Sequence, residues 1–180
     1  MTILKIDSSI TGDASVSRQL TAPTVAQLIA QNPGQRVIER DLVATPLSHL
    51  TLGGSGDADV LDEFLAADTV VIGAPMYNFG VPSQLKAWID RIPIAGKTFR
   101  YTAEGPEGLA GAKRVIVAIS RGGFYEAGGA MEHVETYLTG VLGFLGITPT
   151  FVHADGIAIG PEQREAGIVN GLGEVERLAA

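Results

Sequence analysis

The sequence predicts an α/β three-layer sandwich, a five-stranded parallel sheet of order 2-1-3-4-5 with helices on both faces. Two observations predict it. Five short apolar runs alternate with longer helix-like segments along the 180 residues, and that alternation implies right-handed crossovers between parallel strands. Two of the runs, Thr69-Val70-Val71-Ile72 and Val115-Ile116-Val117-Ala118-Ile119, are nearly continuous in β-branched residues, as central strands buried on both faces must be. No repeat, low-complexity tract or linker breaks the chain, so residues 1–180 are expected to form a single domain.

The elements follow in order. Ile3-Leu4-Lys5-Ile6 is the first strand. A helix is expected after Ser17, burying Leu20, Val25, Leu28 and Ile29. Pro23 removes a backbone donor there unless it falls in the first turn, so a late start or a kink is expected. Val37-Ile38 is a weak second strand. Leu42 to Asp57, rich in Gly and Ser, reads as a mobile loop, and Asp57, Asp59, Asp62 and Glu63 read as an acidic helix start. Thr69–Ile72 is the third strand. Leu85, Trp88, Ile89 and Ile92 then share a helical face, with Pro82 suited to the first turn and Pro93 to the stop. Trp88 reads as core or as a contact between subunits.

The segment from Pro93 to Lys113 is too long for a plain connection. Its Thr98-Phe99-Arg100-Tyr101-Thr102 and Gly105-Pro106-Glu107-Gly108 suit a small hairpin. After the fourth strand, Val115–Ile119, an apolar stripe of Met131, Val134, Leu138, Val141 and Leu145 marks a helix, with Glu132 and Glu135 on its solvated face. Thr150-Phe151-Val152-His153 is the fifth strand. Pro161-Glu162 opens a last helix carrying Ile168, Leu172, Val175 and Leu178.

Composition removes several function classes. With no cysteine, there is no disulfide, thiol nucleophile or Cys-ligated metal cluster. His49, His133 and His153 have no metal spacing, so no metal is expected. His153 reads as a hydrogen-bonded or edge histidine and His133 as a solvated helix position. The formal net charge of −7 disfavours nucleic acid and anionic membranes as partners. Met1 to Lys5 lacks a signal-peptide layout and no apolar run approaches membrane-spanning length. A soluble, cytoplasmic protein is expected. No Ser–His–Asp set carries a nucleophile-elbow signature, which argues against hydrolysis.

Ligands in such sheets bind beyond the carboxyl ends of the strands, and three post-strand loops are polar or Gly-rich. Ser8 to Ser17 brings hydroxyls to a helix start, where free N–H groups and the dipole favour a phosphate. Arg18 is placed to add positive charge. There is no Gly-Lys-Ser/Thr, so a triphosphate with magnesium is disfavoured. The plainer reading is that Ser17 caps the helix and the other residues are solvated. In Ala74-Pro75-Met76-Tyr77-Asn78-Phe79-Gly80-Val81-Pro82, Met and aromatic side chains can flank a flat ring, or Met76 and Phe79 can be core beneath a turn. Ser120-Arg121-Gly122-Gly123-Phe124 offers either an anion-favouring concavity or an ordinary glycine turn.

Taken together the segments resemble the FMN-dependent NADH-azoreductase and NAD(P)H:quinone oxidoreductase family, which is flavodoxin-like. Ala74 to Phe79 resembles its flavin-binding loop, Ser120 to Gly123 its second flavin loop, and Ser9 with Ser15-Val16-Ser17 its phosphate loop. Thr98–Thr102, Gly105–Leu109 and Gly143–Thr148 are similar too, so the likeness spans essentially the whole chain. The resemblance implies a homodimer with one FMN per subunit and NADH or NADPH as co-substrate. Ser9, Ser15, Val16 and Ser17 would hold the phosphate. Pro75, Met76, Tyr77, Asn78 and Phe79 would line one side of the isoalloxazine, and Ser120, Arg121, Gly122 and Gly123 the other. Tyr101 and Phe144 match positions that the partner subunit contributes, and Phe144 lies off its helix's main stripe, as a second buried face or a satellite core contact would require. The implied activity is reduction of quinones or azo compounds. A flavodoxin-like electron carrier without small-molecule turnover is the competing reading, and an interaction module without flavin is another. No residue is assigned as acid or base; Asn78, Gly122, Gly123 and Tyr101 are the expected flavin and substrate environment. The stretch from Leu50 to Asp62, with Gly53, Gly54, Ser55 and Gly56, is short for this family, which bears on substrate range.

Overall fold

The computed structural model describes residues 1–52 and 58–178. Five parallel strands form one sheet: β1 (Thr2–Asp7), β2 (Arg36–Asp41), β3 (Thr69–Pro75), β6 (Arg114–Ser120) and β7 (Thr150–Ala154), in spatial order β2-β1-β3-β6-β7. Counted along the sheet strands alone, this is the predicted 2-1-3-4-5. The two near-continuous runs became β3 and β6, which pair from Thr69↔Arg114 to Pro75↔Ser120. Val37-Ile38 became part of edge strand β2, whose residues are only half-buried or exposed. One-sided exposure explains why its apolar signal is weak.

Each strand feeds two cores, because alternate side chains point to opposite faces. Leu4, Ile6, Val70, Ile72, Val117 and Ile119 pack with Phe64, Leu85, Trp88, Leu138 and Leu142. These come from α2 (Ala58–Ala66), α3 (Ser83–Ile89) and α4 (Val134–Phe144). Ile3, Val71, Ile116, Ala118 and Val152 pack instead with Leu20, Val25, Leu28 and Val175, from α1 (Val16–Gln31) and α5 (Pro161–Arg177). Trp88 is fully buried, edge-on to Phe64 with ring centroids 6.0 Å apart, so it is core. The chain leaves β1 for one face and β3 for the other. Adjacent strands whose connections diverge open a crevice at their carboxyl ends.

Several local expectations are corrected. The first helix starts at Val16, capped by Ser15, whose side chain accepts the Arg18 N–H. Pro23 lies within this helix, at a backbone cost of about 3 kcal/mol that packing of the buried face offsets. Ile29 is exposed at the edge of that face. Pro82 is the N-cap of α3 and Ile92 is buried just beyond its end. Met131 precedes α4 and is exposed, while Leu142 takes its place in the stripe. In the expected mobile loop, Leu42 is fully buried and the Asp41 carboxylate accepts the Val43 and Ala44 N–H groups. Residues 53–57 of that loop, with Asp57 of the acidic helix start, lie outside the described residues.

The hairpin expected in the long connection forms from β4 (Phe99–Thr102) and β5 (Gly105–Gly108), antiparallel from Phe99↔Gly108 to Thr102↔Gly105. It docks backbone to backbone on the end of α4: a Cβ at Gly108 would overlap the Gly146 nitrogen and the Leu145 carbonyl carbon. No described helix is long and apolar enough to cross a membrane.

Candidate active site

The three loops singled out in the sequence meet at the carboxyl end of the sheet. The Tyr77 hydroxyl lies 3.1 Å from Ser9 Oγ and accepts the Ile10 N–H, also at 3.1 Å. This joins the loop after β3 to the loop after β1. The Met76 N–H donates to the Ser120 carbonyl at 2.8 Å, joining it to the loop after β6. Between them is a cavity of about 320 Å³ lined by Ser9, Thr11 and Val16 from the first loop, Pro75, Met76 and Tyr77 from the second, Ser120, Arg121 and Gly122 from the third, and Ile157. Met76 and Tyr77 also line a neighbouring cavity of about 590 Å³ with Asn78. These volumes lie in the range of cofactor sites.

The loop after β3 owes its shape to a tight hairpin. Tyr77 and Gly80 exchange backbone hydrogen bonds at 3.0 and 3.1 Å. Both central residues have left-handed backbones, Asn78 at φ 49° and Phe79 at φ 70°. Asn tolerates this, but Phe adopts it at a cost of about 1–2 kcal/mol. The strained turn aims Tyr77 at Ser9. Phe79 lines neither cavity and stands edge-on to Tyr125, ring centroids 6.4 Å apart.

The loop after β1 divides its serines. Ser9 reaches the cavity, its Oγ 3.0 Å from the Thr11 hydroxyl. Ser15 and Ser17 are buried and bonded to each other at 3.1 Å. Their side chains stabilise the helix start; what the helix start offers the cavity is Val16 and its backbone. The N–H groups of Val16 and Ser17 donate to no described residue, as first-turn groups do unless a ligand accepts them. Arg18 is not available for a ligand anion: it pairs with Asp41 at 2.8 Å and stands 3.7 Å from Asp7. The Arg18 hydrogen bond, helped by the Val43 and Ala44 N–H groups, lowers the Asp41 carboxyl to about 2 from 3.8. A lowered folded-state pKa adds stability above the unfolded value and loses it as pH falls toward about 2. Asp41's side chain is 37% exposed, so screening limits the gain to about 1 kcal/mol or less. Asp41→Asn is expected to flatten the acid limb of melting temperature against pH between 3.8 and about 2; an unaltered limb would refute the linkage.

In the loop after β6, Arg121 is 4% exposed and its guanidinium donates twice to Asp155, at 2.6 and 2.8 Å. Its Nη1 stands 3.8 Å from Glu132 and 4.0 Å from Glu135. Burial works against this charge, but the Asp155 hydrogen bonds and the surrounding carboxylates outweigh it and raise the Arg121 pKa. Arg121 therefore serves the site by fixing its loop against the segment after β7. The Ile157 and Ala158 N–H groups complete that clamp by donating to the Arg121 and Gly122 carbonyls at 3.1 and 2.9 Å. The N–H groups of Gly122 and Gly123 donate to no described residue, leaving two fixed donors free.

Glu132, expected on a solvated face, is 1% exposed. Its carboxylate accepts the Val134, Glu135 and Thr136 N–H groups, capping α4 from two residues before its start. Glu132→Ala would remove the cap and leave Arg121 short of a counter-charge. A loss of about 3 kcal/mol in urea unfolding is expected; a change under about 0.5 kcal/mol would show that the carboxylate is dispensable. His153 is half-buried on the edge strand, 3.1 Å from Glu135 and 3.4 Å from Glu174, a hydrogen-bonded histidine as expected. His133 is exposed at the N-cap of α4. No group of three or more potential metal ligands occurs among the described residues.

Tyr101 and Phe144 line neither cavity. Tyr101 is 75% exposed, edge-on to Phe99 at 5.4 Å. Phe144 packs on Phe99 at 4.6 Å, which makes it a satellite core contact within its own chain.

Sequence reasoning missed Thr11, Ala14, Ile157 and Arg164 among the cavity residues. Thr11 lay within the hydroxyl-rich loop but carried no separate signal. Ile157 sits after the fifth strand in a segment with no glycine pair or hydroxyl run to mark it.

Comparison with known proteins agrees with this geometry. A sequence profile of the Flavodoxin_2 family, described as flavodoxin-like fold, matches residues 1–178. The "FMN-dependent NADH:quinone oxidoreductase 2" of Bradyrhizobium diazoefficiens is 55% identical, with all of both chains covered. The FMN-dependent NADH:quinone oxidoreductase of Sinorhizobium fredii is 52% identical, again over all of both chains. The crystal structure of azoreductase AzrA superposes with a TM-score of 0.89 at 31% identity, covering 99% of each chain. The chain belongs to the flavodoxin-like family that includes these FMN-dependent NADH:quinone oxidoreductases and azoreductases.

Proposed function

We propose that this chain is an FMN-dependent NAD(P)H oxidoreductase that reduces quinones by two electrons and cleaves azo compounds, acting as a cytoplasmic homodimer. The observation that carries the proposal is the Tyr77 hydroxyl bonded to both Ser9 Oγ and the Ile10 N–H while Met76 is bonded to Ser120. It unites a hydroxyl-lined helix start with two ring-sized loop walls in one cavity. The residues present fit FMN. Ser9, Thr11 and the free Val16 and Ser17 N–H groups suit the phosphate. Pro75, Met76, Tyr77, Ser120 and Gly122 line the same cavity, and their loops would flank a flat ring there. The unpaired N–H groups of Gly122 and Gly123 suit a ring carrying negative charge at its pyrimidine end.

The chemistry that FMN supplies when bound is acceptance of hydride from a reduced nicotinamide at N5 and its return, as two electrons and a proton, to an acceptor. This chain's residues position and stabilise. The Gly122 and Gly123 N–H groups, held by the clamped loop, would be donors to negative charge on the flavin without reorganisation. Arg121 and Asp155 hold that loop in place. Met76 and Tyr77 would hold the ring of a bound flavin, which would take its two substrates in turn. One cavity serving both substrates implies ping-pong kinetics, with one turnover for a quinone and two for complete cleavage of an azo bond. Tyr101, exposed on the hairpin, would be free to complete the cavity of a second copy.

The test is an anaerobic trace. Protein loaded with FMN should bleach on addition of NADH or NADPH and recover with a stoichiometric quinone, with parallel double-reciprocal plots at steady state. Flavin that binds but does not bleach with either nicotinamide would favour the electron carrier over the enzyme.

A further inference from the structure

Two arginines, Arg121 and Arg164, line the cavity, a third, Arg18, reaches the Ser9 carbonyl beside it, and two of the three have their charge neutralised. Arg18 is held by Asp41 at 2.8 Å and Arg121 by Asp155 at 2.6 Å. The remaining one is Arg164, in the first turns of α5, which lines the cavity beside Thr11, Ala14 and Val16. It is half-buried and forms no ion pair with any described carboxylate. Its Nη2 donates to the Ala14 carbonyl at 3.1 Å. Ala14 ends the 3-10 turn Gly12–Ala14, one residue before the Ser15 cap of α1. The guanidinium is therefore tethered beside the unpaired Val16 and Ser17 N–H groups, with donors to spare. Hydroxyls and N–H groups supply hydrogen bonds to a phosphate, but of the three arginines only this one has a full charge left to give it.

We propose that Arg164 is a specificity-determining residue that selects a phosphorylated flavin over an unphosphorylated one. This rests on the flavin reading and adds to it a charge-assisted contact from α5, the element farthest from the loop in sequence. An arginine in this place forks onto phosphate oxygens, and its contribution is absent for a flavin that ends in the ribityl hydroxyl.

The test titrates apoprotein with FMN and, separately, with riboflavin, following flavin fluorescence. Apoprotein melting temperatures check that the variants are folded. Arg164→Gln is expected to raise the Kd for FMN by roughly tenfold to a hundredfold. Its Kd for riboflavin should stay within about twofold of wild type, since no charged contact is lost there. Arg164→Lys should fall between, keeping the charge but not the fork, and added salt should narrow the gap for FMN alone. An unchanged FMN Kd in Arg164→Gln overturns the inference while leaving the flavin reading intact. Equal loss for both flavins also overturns it, since Arg164 would then only shape the pocket. Wild-type protein that binds neither flavin overturns both.

Discussion

Gly122→Val is expected to weaken FMN binding by roughly tenfold to a hundredfold, the value of a hydrogen bond to a charged group, without unfolding the protein. Gly122 lines the cavity, and its N–H donates to no described residue. A Cβ there would sit 3.3 Å from the Ala158 Cβ. Ala158 cannot readily give way, because its own N–H is tied to the Gly122 carbonyl at 2.9 Å. The added methyls of valine must therefore push the loop into the space meant for the ring, or turn its donors away. Gly122→Ala, which adds only the Cβ, should lie between wild type and valine. Fluorescence titration with FMN and the apoprotein melting temperature separate a binding defect from a folding one. A valine variant with wild-type affinity would remove this loop from the site.

The largest loss of stability is expected from Gly108→Ala. The position is the end of β5, where the hairpin backbone lies directly on the turn after α4. A methyl group would overlap the Gly146 nitrogen and the Leu145 carbonyl. Backbone atoms cannot rotate aside as a side chain can, and Gly146 is itself held at φ 84°. The adjoining Ala110 N–H donates to the Leu145 carbonyl at 3.0 Å, so relief requires undocking the hairpin. A cost of about 3 kcal/mol or more is expected in urea unfolding. A change below about 1 kcal/mol would show that the hairpin is not held by this contact.

The sheet was legible because burial on two faces writes itself into composition. β3 and β6 have six buried residues each in seven, so their runs are apolar without alternation. The hairpin was legible from its two short segments, Thr98–Thr102 and Gly105–Gly108, inside a connection too long to be plain. The three loops could be located, since each follows an apolar run and departs from an ordinary solvent turn. Their internal division of labour could not. Ser15 and Ser17 look alike in sequence to Ser9, yet only Ser9 reaches the cavity, because Ser15 turns back to cap the Arg18 N–H and Ser17 is buried against it. Glu132 and Glu135 share helical spacing, and only the start of α4 at Val134 decides that Glu132 folds back as a buried cap. Arg164 meets Ala14 across 150 residues, a contact that arises solely from how α5 packs beside α1.

The central claim is that the loops after β1, β3 and β6 enclose one phosphorylated, flat heterocycle. A crystal structure of the protein with FMN tests it most directly. The ring is predicted between Met76–Tyr77 and Ser120–Gly122, with the phosphate at the Val16 and Ser17 N–H groups beside Ser9. A flavin found elsewhere on the molecule, or a phosphate remote from the start of α1, would contradict it.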